Sequence, residues 1–472
     1  MKLLKLDSEK VNVNVSLAAL KLLKLLPEEM MESQLQSIIY HICNFLKHRL
    51  GSIRDEARSA LAACAKELGM ERFHLIVKVL KAILKRGFEL HVLGYTLNFI
   101  LSKMLVNASV GKLDYCLEEL LSIAENDILG DVAEQKEVDK IASKMKETRK
   151  RKSFETLKLI SQSITFRTHS LKLLCPINAH LQKHLTPKAK SKIEQMLSQI
   201  AQGIECNPSA ESAELFIFVY GLIEDGITEE NTIGQDAPET LNKETSRQEL
   251  SFRRNTLGPR GSENDHLIVE FALGVLHNRL KNMKLNKEDD QLLSMLDPFV
   301  LVLGNCLKSK HENILSTAFR CLAPLIKLPL PSLEAQADEI KILLLDIAQK
   351  SSNATNPLVQ SCLKLLTVLL RSTRISLSRD QLHILVQFPM FIDLLSNPSP
   401  VTLSLLKSIV GRKLVVHEIY DIILQVAELM VTSQSEPIRK KCSQILLQFL
   451  LDYHLSEKRL QQHIDFLLTN LK

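Results

Sequence analysis

The stretch Pro437–Asp452, PIRKKCSQILLQFLLD, carries an apolar pattern that occurs at least three more times along the chain. In each copy a small residue follows an isoleucine or leucine by four positions, and a leucine follows four positions later. The four sets are Ile53/Ala57/Leu61, Ile314/Ala318/Leu322, Leu358/Cys362/Leu366 and Ile438/Cys442/Leu446. This spacing places the three side chains on one helix face, and the small central residue lets a neighbouring backbone approach closely. The pattern therefore predicts helices that stack on one another.

The separation of the copies indicates a repeat protein. The copies that start at 314 and 358 are 44 residues apart, and those at 358 and 438 are 80 apart, which is twice 40. This period is typical of repeats made of paired helices. With 45% apolar residues, 15 glycines, 15 prolines and little strict alternation in 472 residues, strands are disfavoured. The predicted fold class is an all-α, HEAT/armadillo-like helical-repeat solenoid.

The cysteines and the apolar runs bear on the compartment. Several cysteines occupy a position where a repeat needs a small apolar side chain, and no CxxC pair occurs, so we expect buried, reduced thiols and a reducing compartment. No apolar run approaches the roughly 18 residues of a membrane span, and the N-terminal MKLLKLDSEK lacks the apolar core of a signal peptide. We therefore expect no membrane association. The nine cysteines are Cys43, Cys64, Cys116, Cys175, Cys206, Cys306, Cys321, Cys362 and Cys442.

Changes in composition divide the chain into five segments. Helical repeats are predicted over residues 1–130, 153–222 and 266–472, with a charged, basic segment at 131–152. Residues 223–265 are rich in polar and charged residues and poor in bulky apolar ones. Such a stretch cannot bury enough surface to offset its ordering entropy, so it is predicted to be a disordered insertion. The final stretch HIDFLLTNLK ends inside an apolar pattern without a polar capping repeat, which predicts a truncated terminus.

Local signals predict several helix limits in the first segment. A helix pair is expected over residues 11–50 with its break at Pro27. The next helix is predicted over Ile53–Leu68, with Ser52 as its N-terminal cap and Gly69 at its end. Two more are predicted over residues 71–86 and 87–105. Gly94, inside the latter, predicts a helix packed tightly between others.

The basic run in the second segment is the sharpest functional signal. Its sequence is DVAEQKEVDKIASKMKETRKRK, and it ends in four consecutive cations, which favour a function because like charges in series cost stability on an ordinary helix face. The alternative is a solvated charged helix, which the interleaved acidic residues Glu134, Glu137, Asp139 and Glu147 support. Because no aromatic residue lies between the cations, contact with nucleic acid would be through the phosphate backbone. The candidate nuclear-import or RNA-backbone patch consists of Lys144, Lys146, Arg149, Lys150, Arg151 and Lys152.

Motifs for catalysis or cofactor binding are weak. Gly111-Lys112 lacks both the first glycine and the Ser/Thr of a phosphate-binding loop. His180 and His184 lie four apart on a predicted helix and could face one metal, but no third ligand is in register. His91 lies within an apolar helix and is interpreted as a core residue rather than a base. We therefore expect no catalytic, cofactor-binding or metal-binding residue, no small-molecule substrate and no enzyme.

Three segments carry a resemblance to a known family. They are Leu68–Met104 (LGMERFHLIVKVLKAILKRGFELHVLGYTLNFILSKM), Glu137–Phe154 (EVDKIASKMKETRKRKSF) and Val415–Leu467, which includes AELMVTSQSEPIRKKCSQILLQFLL. They resemble, in the same order, the down-regulated-in-metastasis family of nucleolar helical-repeat proteins, whose members are component 20 of the small subunit processome. Members are several times longer than 472 residues. We therefore expect an internal piece of a longer protein or a truncated product.

The resemblance implies a function that the residues alone do not. It implies a non-catalytic scaffold in the small subunit processome, the U3 snoRNA-containing particle that processes pre-rRNA to 18S rRNA for the 40S subunit. The implied partners are processome proteins, with pre-rRNA and snoRNA as possible direct contacts, and the implied location is the nucleolus within the nucleus. The alternative is a karyopherin-like transport or adaptor solenoid, since import receptors share the paired-helix period. Such receptors tend to be acidic, whereas this chain has a formal net charge of +6.

Overall fold

The structure is a computed structural model that describes residues 13–105, 110–130, 145–149, 152–232, 264–350, 356–371, 377–413 and 415–470. Within these ranges the regular secondary structure is entirely helical, so the all-α prediction is confirmed. The chain divides into two compact units, residues 1–218 with 232–267 and residues 219–231 with 268–472. Within the described residues no helix has the length and apolarity that crossing a bilayer requires.

The first unit is built from short and medium helices. Their bounds are α1 Val13–Leu23, α2 Glu28–Asn44, α3 Gly51–Leu68, α4 Phe73–Ile83, α5 Phe88–Met104, α6 Leu117–Leu129, α7 Lys146–Arg149, α8 Ser153–Ser163, α9 Phe166–His169, α10 Cys175–Leu181 and α11 Pro187–Glu205. The next helix, α12 Ser212–Thr232, begins in this unit, and its residues 219–231 belong to the second unit.

The second unit continues with helices of similar length. Their bounds are α13 His266–Asn282, α14 Asp290–Cys306, α15 Glu312–Leu325, α16 Pro331–Lys350, α17 Pro357–Arg371, α18 Arg379–Val386, α19 Pro389–Ile392, α20 Pro400–Val410, α21 His417–Thr432, α22 Glu436–Asp452 and α23 Glu457–Asn470.

In both units most helices pack mainly on a helix further along the chain rather than on their immediate neighbour, whereas α21 packs mainly on its neighbour α22. In the first unit one row runs α1, α3, α5, α8 and α11, and a second row runs α2, α4, α6 and α10. In the second unit one row runs α15, α17, α20 and α22, while α14 packs on α16. Two parallel rows of alternating helices are the arrangement of HEAT and armadillo repeats. The predicted repeat class is therefore confirmed.

The four predicted stacking faces all lie in these rows. They belong to α3, α15, α17 and α22, and their side chains are buried except for Leu358, which is half-buried. The small central residues permit close backbone contact, since Cys362 Sγ lies 3.3 Å from the carbonyl oxygen of Leu344. Between α15 and α17, the hydroxyls of Ser316 and Ser361 are 3.0 Å apart. The repeated sequence pattern thus marks the helix faces along which the rows stack.

The predicted helix limits in the first segment are largely confirmed. The break at Pro27 separates α1 from α2, and Gly69 ends α3 with a φ of +82°, a conformation that glycine adopts without strain. Ser52 is not the cap, because α3 begins one residue earlier at Gly51 and its N-cap position is Leu50, which supplies no side-chain hydrogen bond. Side chains and carbonyls from the preceding loop surround this helix start instead.

Gly94 lies where α5 meets two other helices, as predicted. A Cβ atom at this position would lie 2.6 Å from Asp127 Oδ2 in α6 and would also contact the hydroxyl of Ser153 in α8. These two polar groups belong to a buried network, in which Ser153 donates to Asp127 and His91 Nδ1 lies 2.5 Å from Asp127 Oδ1. Only glycine leaves room for the network, and His91 is the satisfied core residue that the sequence analysis expected.

The boundary at residue 223 is a correction. The helix α12 continues from Ser212 through Thr232, and Ile223 and Ile227 within it are buried. Helical spacing of these apolar residues continues through the acidic stretch, so composition alone placed the start of the insertion too early. At the other end, residues 264 and 265 already form the turn that leads into α13. Residues 233–263 lie outside the described part of the chain.

Most cysteines lie in the core, as predicted. Seven are buried, Cys175 is half-buried and Cys206 is exposed, and the structure contains no disulfide among them. Burial raises the pKa of Cys64, Cys116 and Cys442 to about 11. A thiol with such a pKa stays protonated and weakly nucleophilic near neutral pH, so these side chains serve as small apolar residues.

The stacking faces predict a specific effect of side-chain size. Replacing Cys362 with leucine should destabilise the second unit by roughly 1–3 kcal/mol, because extra methyl groups would collide with the backbone at Leu344. The measurement is urea-induced unfolding followed by far-ultraviolet circular dichroism. The matched control is Cys206→Leu, which adds the same volume at an exposed position and should leave the unfolding midpoint near that of the wild type. An unchanged midpoint for Cys362→Leu would contradict the role assigned to the small residue.

Candidate nucleic-acid interface

The structure describes part of the predicted basic patch. Lys146–Arg149 form the short helix α7, which packs on α5, and Lys152 immediately precedes α8. Lys144, Lys150 and Arg151 lie outside the described residues, as does the side chain of Arg149. The described residues are thus the two points at which the basic run is attached to the first unit.

Glu147 is the principal attachment. Its side chain is 1% exposed and is held by two arginines of α3 that are themselves buried. Arg54 donates Nε to Oε1 at 2.8 Å and Nη2 to Oε2 at 3.0 Å, which is a bidentate pair. Arg58 donates Nη2 to the same carboxylate. Charge-assisted, bidentate geometry of this kind is strong and directional. Glu147 is therefore an anchor rather than part of a solvated acidic face.

The two arginines are in turn fixed by neighbours. Arg54 Nη1 donates to the carbonyl oxygens of His48 and Arg49, both at 2.8 Å, in the loop before α3. Arg58 Nε donates to Thr96 Oγ1 at 3.2 Å, and its guanidinium lies 4.7 Å from the ring centre of Tyr95. These contacts connect the loop, α3 and α5 to the anchored carboxylate. A buried ion pair is tolerated only when its remaining donors are satisfied in this way.

The electrostatic surroundings keep Glu147 ionised. Burial by itself raises the pKa of this carboxyl, but the hydrogen bonds from Arg54 and Arg58 outweigh that effect and lower the pKa from 4.5 to about 2. Arg58 also adds direct charge attraction. The anchor is therefore fully charged at every physiological pH.

The described cations of the patch have acidic partners. Lys146 forms an ion pair with Asp55 at the outer edge of the same cluster, and Lys152 pairs with Glu155 one turn into α8. All four of these side chains are between a third and a half exposed. Pairs at such exposure exchange readily with water and contribute little stability. Both lysines thus lie at the surface. Lys146 precedes the four-cation run by three residues, and Lys152 is the last residue of the run.

Sequence reasoning missed Arg54 and Arg58 and assigned Glu147 to the solvated alternative. The partners are 93 and 89 residues apart along the chain, so no local pattern connects them. A signal was nevertheless present in the sequence. Arg54 and Arg58 are four apart on α3 and directly follow Ile53 and Ala57 of its stacking face, so they lie beside that face rather than opposite it. A buried arginine implies a carboxylate partner elsewhere in the chain.

The histidine pair considered for a metal is not arranged as predicted. The helix α10 ends at Leu181, so His184 lies beyond it and is exposed. His180 instead lies with Nε2 2.9 Å from Glu125 Oε1 of α6. In the part of the chain that the structure describes, no group of three or more His, Cys, Asp or Glu side chains is placed to hold a metal ion.

These observations define a class of protein, an all-α protein of paired-helix repeats with a basic segment anchored on its first unit. Comparison with known proteins adds a similarity to one family. Residues 4–223 match the model of the U3 small nucleolar RNA-associated protein 20 domain. The curated protein of that name from Schizosaccharomyces pombe is 27% identical over 463 residues, and that from Saccharomyces cerevisiae is 26% identical over 447 residues.

The resemblance stated from the sequence is therefore confirmed. The match covers 98% of this chain for the first relative and 93% for the second, and in both cases it covers 18% of the relative. The chain thus spans about a fifth of the length of the curated relatives that it matches.

Two solved structures match along most of this chain, at low TM-scores and low identity. A chain of the SYS-1/POP-1 complex matches with a TM-score of 0.35 and 12% identity, covering 89% of this chain and 78% of that one. Kap121p bound to Pho4p matches with a TM-score of 0.36 and 15% identity, covering 94% of this chain and 48% of the other.

The anchor predicts a large effect from a small change. Replacing Glu147 with glutamine leaves two buried arginines without a counter-charge, and removing one partner of a buried pair typically costs about 3–5 kcal/mol. We expect the basic segment to detach, so that trypsin cleaves within residues 149–152 several-fold faster than in the wild type. Glu118→Gln is the matched control, since it breaks an exposed pair with Lys172 away from the basic run and should change the cleavage rate little. Equal cleavage rates for the two variants would contradict the anchoring role.

The same pair predicts a pH dependence with a definite sign. Because the folded-state pKa of Glu147 is about 2 and its ordinary value is 4.5, the stabilisation is fully present above pH 4.5 and is lost as the pH falls towards 2. The difference in melting temperature between the wild type and Glu147→Gln should therefore be constant from neutral pH down to about 5 and then shrink. A difference that instead shrank between neutral pH and 5 would contradict the assignment.

Proposed function

We propose that the chain is a non-catalytic scaffold segment of the small subunit processome, and that it supports the processing of pre-rRNA to 18S rRNA. The observation that carries the proposal is the similarity along 98% of the chain to a protein named for its association with U3 small nucleolar RNA. On this proposal the protein acts in ribosome biogenesis in the nucleolus. Its partners are processome proteins, together with pre-rRNA and snoRNA.

The architecture supports a scaffold. Stacked helix rows form extended surfaces whose shape is fixed by packing, and repeat proteins bind other macromolecules on such surfaces. Two buried ionisable groups of the first unit, His91 and Glu147, are engaged in structural contacts rather than directed into a cleft. Binding without chemistry is the function that this distribution of polar groups favours.

We further propose that the basic patch mediates nuclear import or contact with RNA. Lys144, Lys146 and the run Arg149, Lys150, Arg151 and Lys152 are the proposed contacts, either with an import receptor or with phosphates of RNA. The anchor at Glu147 supports this proposal, because it fixes the helix that precedes the run on the first unit at every physiological pH. Fixing the run before binding lowers the entropy that binding must overcome.

The ribosomal role has a direct test in cells. Depletion of the full-length protein that contains this chain should lower mature 18S rRNA and leave 28S rRNA unchanged, because the small subunit processome acts on the small-subunit rRNA. The measurement is quantification of both rRNAs and of their precursors after depletion. Normal 18S rRNA processing in depleted cells would remove the proposed function.

The basic run has a separate test. Replacing Arg149, Lys150, Arg151 and Lys152 with alanine should reduce nuclear or nucleolar accumulation of the full-length protein several-fold, as measured by fluorescence microscopy. The matched control replaces four scattered, exposed lysines with alanine, namely Lys85, Lys103, Lys183 and Lys188. This control removes the same charge without removing a cluster and should localise normally. Unchanged localisation of the first variant would contradict the proposal and would mean that the run is only a solvated, charged surface.

A further inference from the structure

A second cluster of cations lies in the second unit, on the row formed by α17, α20 and α22. It lines an open cleft of about 430 Å³ at the carboxyl ends of α17 and α20. The lining residues are Leu370, Arg371, Lys407, Ser408, Gly411, Arg412 and Gln448. Three of the seven are cations, and none is acidic. Lys441 of α22 lies close enough to Arg371 and Lys407 for their charges to act on it.

The cleft is held open by hydrogen bonds between successive repeats. Arg371 Nε donates to Ser408 Oγ at 3.1 Å, and Arg412 Nε donates to the carbonyl oxygen of Leu370 at 2.8 Å. Lys407 Nζ donates to Gln444 Oε1 of α22 at 2.9 Å. Each contact joins two neighbouring helices of the row and uses a neutral acceptor. The cations are thus positioned by the fold while their charge is not neutralised by these contacts.

Within the described residues, three cations of this cluster, namely Arg371, Lys407 and Lys441, are not paired with an acidic side chain. Among the residues that the structure describes, no Asp or Glu forms an ion pair with Arg371, Lys407 or Lys441, and the nearby Asp452 pairs with Lys413 at 3.3 Å. Burial, together with the charges of Arg371 and Lys407, lowers the pKa of Lys441. Uncompensated like charges destabilise a fold, so a cluster that the helix rows hold together favours an anionic ligand.

The lining residues favour phosphates over other anions. Guanidinium and ammonium groups side by side suit the tetrahedral oxygens of phosphate, which a guanidinium can bind in a bidentate manner. Leu370 is the only apolar side chain of the lining, and no aromatic ring is present there on which a base could stack. An acidic peptide needs apolar contacts for specific binding, whereas the sugar–phosphate backbone of a nucleic acid does not.

We propose that this cleft binds the phosphate backbone of RNA. The choice of RNA as the ligand rests on the proposed function. The location of the site rests on the geometry of the cleft. Arg371 and Lys407 lie 36 residues apart and Lys407 and Lys441 lie 34 apart, close to one repeat period. Stacking therefore sets the three cations on successive helices. On this proposal Arg371 and Lys407, which line the cleft, contact phosphates of one strand, while Lys441 donates Nζ to the carbonyl oxygen of Pro400 and adds positive charge beside the cleft. The contact carries no sequence specificity, because it does not include the bases.

The test measures binding of the full chain to a fluorescein-labelled, single-stranded RNA of mixed sequence by fluorescence anisotropy over a series of salt concentrations. The double variant Arg371→Gln and Lys407→Gln should bind on the order of ten-fold more weakly at about 0.1 M salt. The slope of log affinity against log salt should become shallower by about 1.4, which is about 0.7 for each of two lost phosphate contacts on a single strand.

Two controls separate the cleft from general charge and from misfolding. Lys308→Gln with Lys350→Gln removes the same charge from lysines of the second unit that are paired with Glu339 and Asp346, and it should keep the wild-type slope. Arg371→Lys with Lys407→Arg retains the charge and should also keep the slope. Circular dichroism confirms that each variant is folded. Affinity and slope unchanged in the glutamine variant would overturn the proposal.

A competition arm distinguishes RNA from an acidic protein segment. Polyglutamate is added to the preformed complex of wild-type protein and RNA, and unlabelled RNA is added in parallel. Displacement by RNA at a much lower concentration of charge than by polyglutamate supports the assignment, and equal displacement by polyglutamate overturns it. Loss of 18S rRNA on depletion together with an unchanged glutamine variant would remove the cleft proposal alone. Normal 18S rRNA on depletion would remove the proposed function, whatever the binding result.

Discussion

The close approach of alternate helices is the constraint on which the structure of both units depends. A helix can pack on the next helix of its row only where a small residue lies at the centre of the contact. At Gly203 of α11, a Cβ atom would lie 2.5 Å from the carbonyl oxygen of Lys158 in α8. In the second unit the small residues Ser316 of α15 and Ser361 of α17 meet in the same way, and their hydroxyls lie 3.0 Å apart. Larger side chains at these positions would separate the rows and expose the leucines behind them.

Charge is distributed in two different ways on this framework. In the first unit Arg54 and Arg58 are buried, and a carboxylate from the basic segment neutralises them. In the second unit Arg371, Lys407 and Lys441 line or flank an open cleft and rest on neutral hydrogen-bond acceptors. Burial explains the contrast, because charge in a low dielectric must be paired, whereas charge at a solvated cleft remains available for a ligand.

Both arrangements fit a protein that positions other molecules. The anchored segment fixes where the basic run leaves the first unit, and the cleft fixes cations on successive helices of the second unit. Neither feature includes the converging acid, base and nucleophile that a reaction would require. On both proposals, contact with a phosphate backbone rests on charge and shape.

Much of the fold was determined locally and could be predicted. The spacing of Ile53, Ala57 and Leu61, repeated at 314, 358 and 438, determined helices with stacking faces, because side-chain periodicity on a helix depends only on neighbours in sequence. Pro27 and Gly69 determined helix ends for the same reason. Composition was less informative at 223, where buried Ile223 and Ile227 continue a helix through an acidic stretch.

The functional surfaces were decided by the tertiary structure. Glu147 meets arginines about 90 residues away, and the cleft brings together cations that lie about one repeat apart and form no run in the sequence. Whether a charged residue is buried and paired or exposed and available depends on which helix packs beside it. That depends on the register of the rows, which is set by contacts between distant segments.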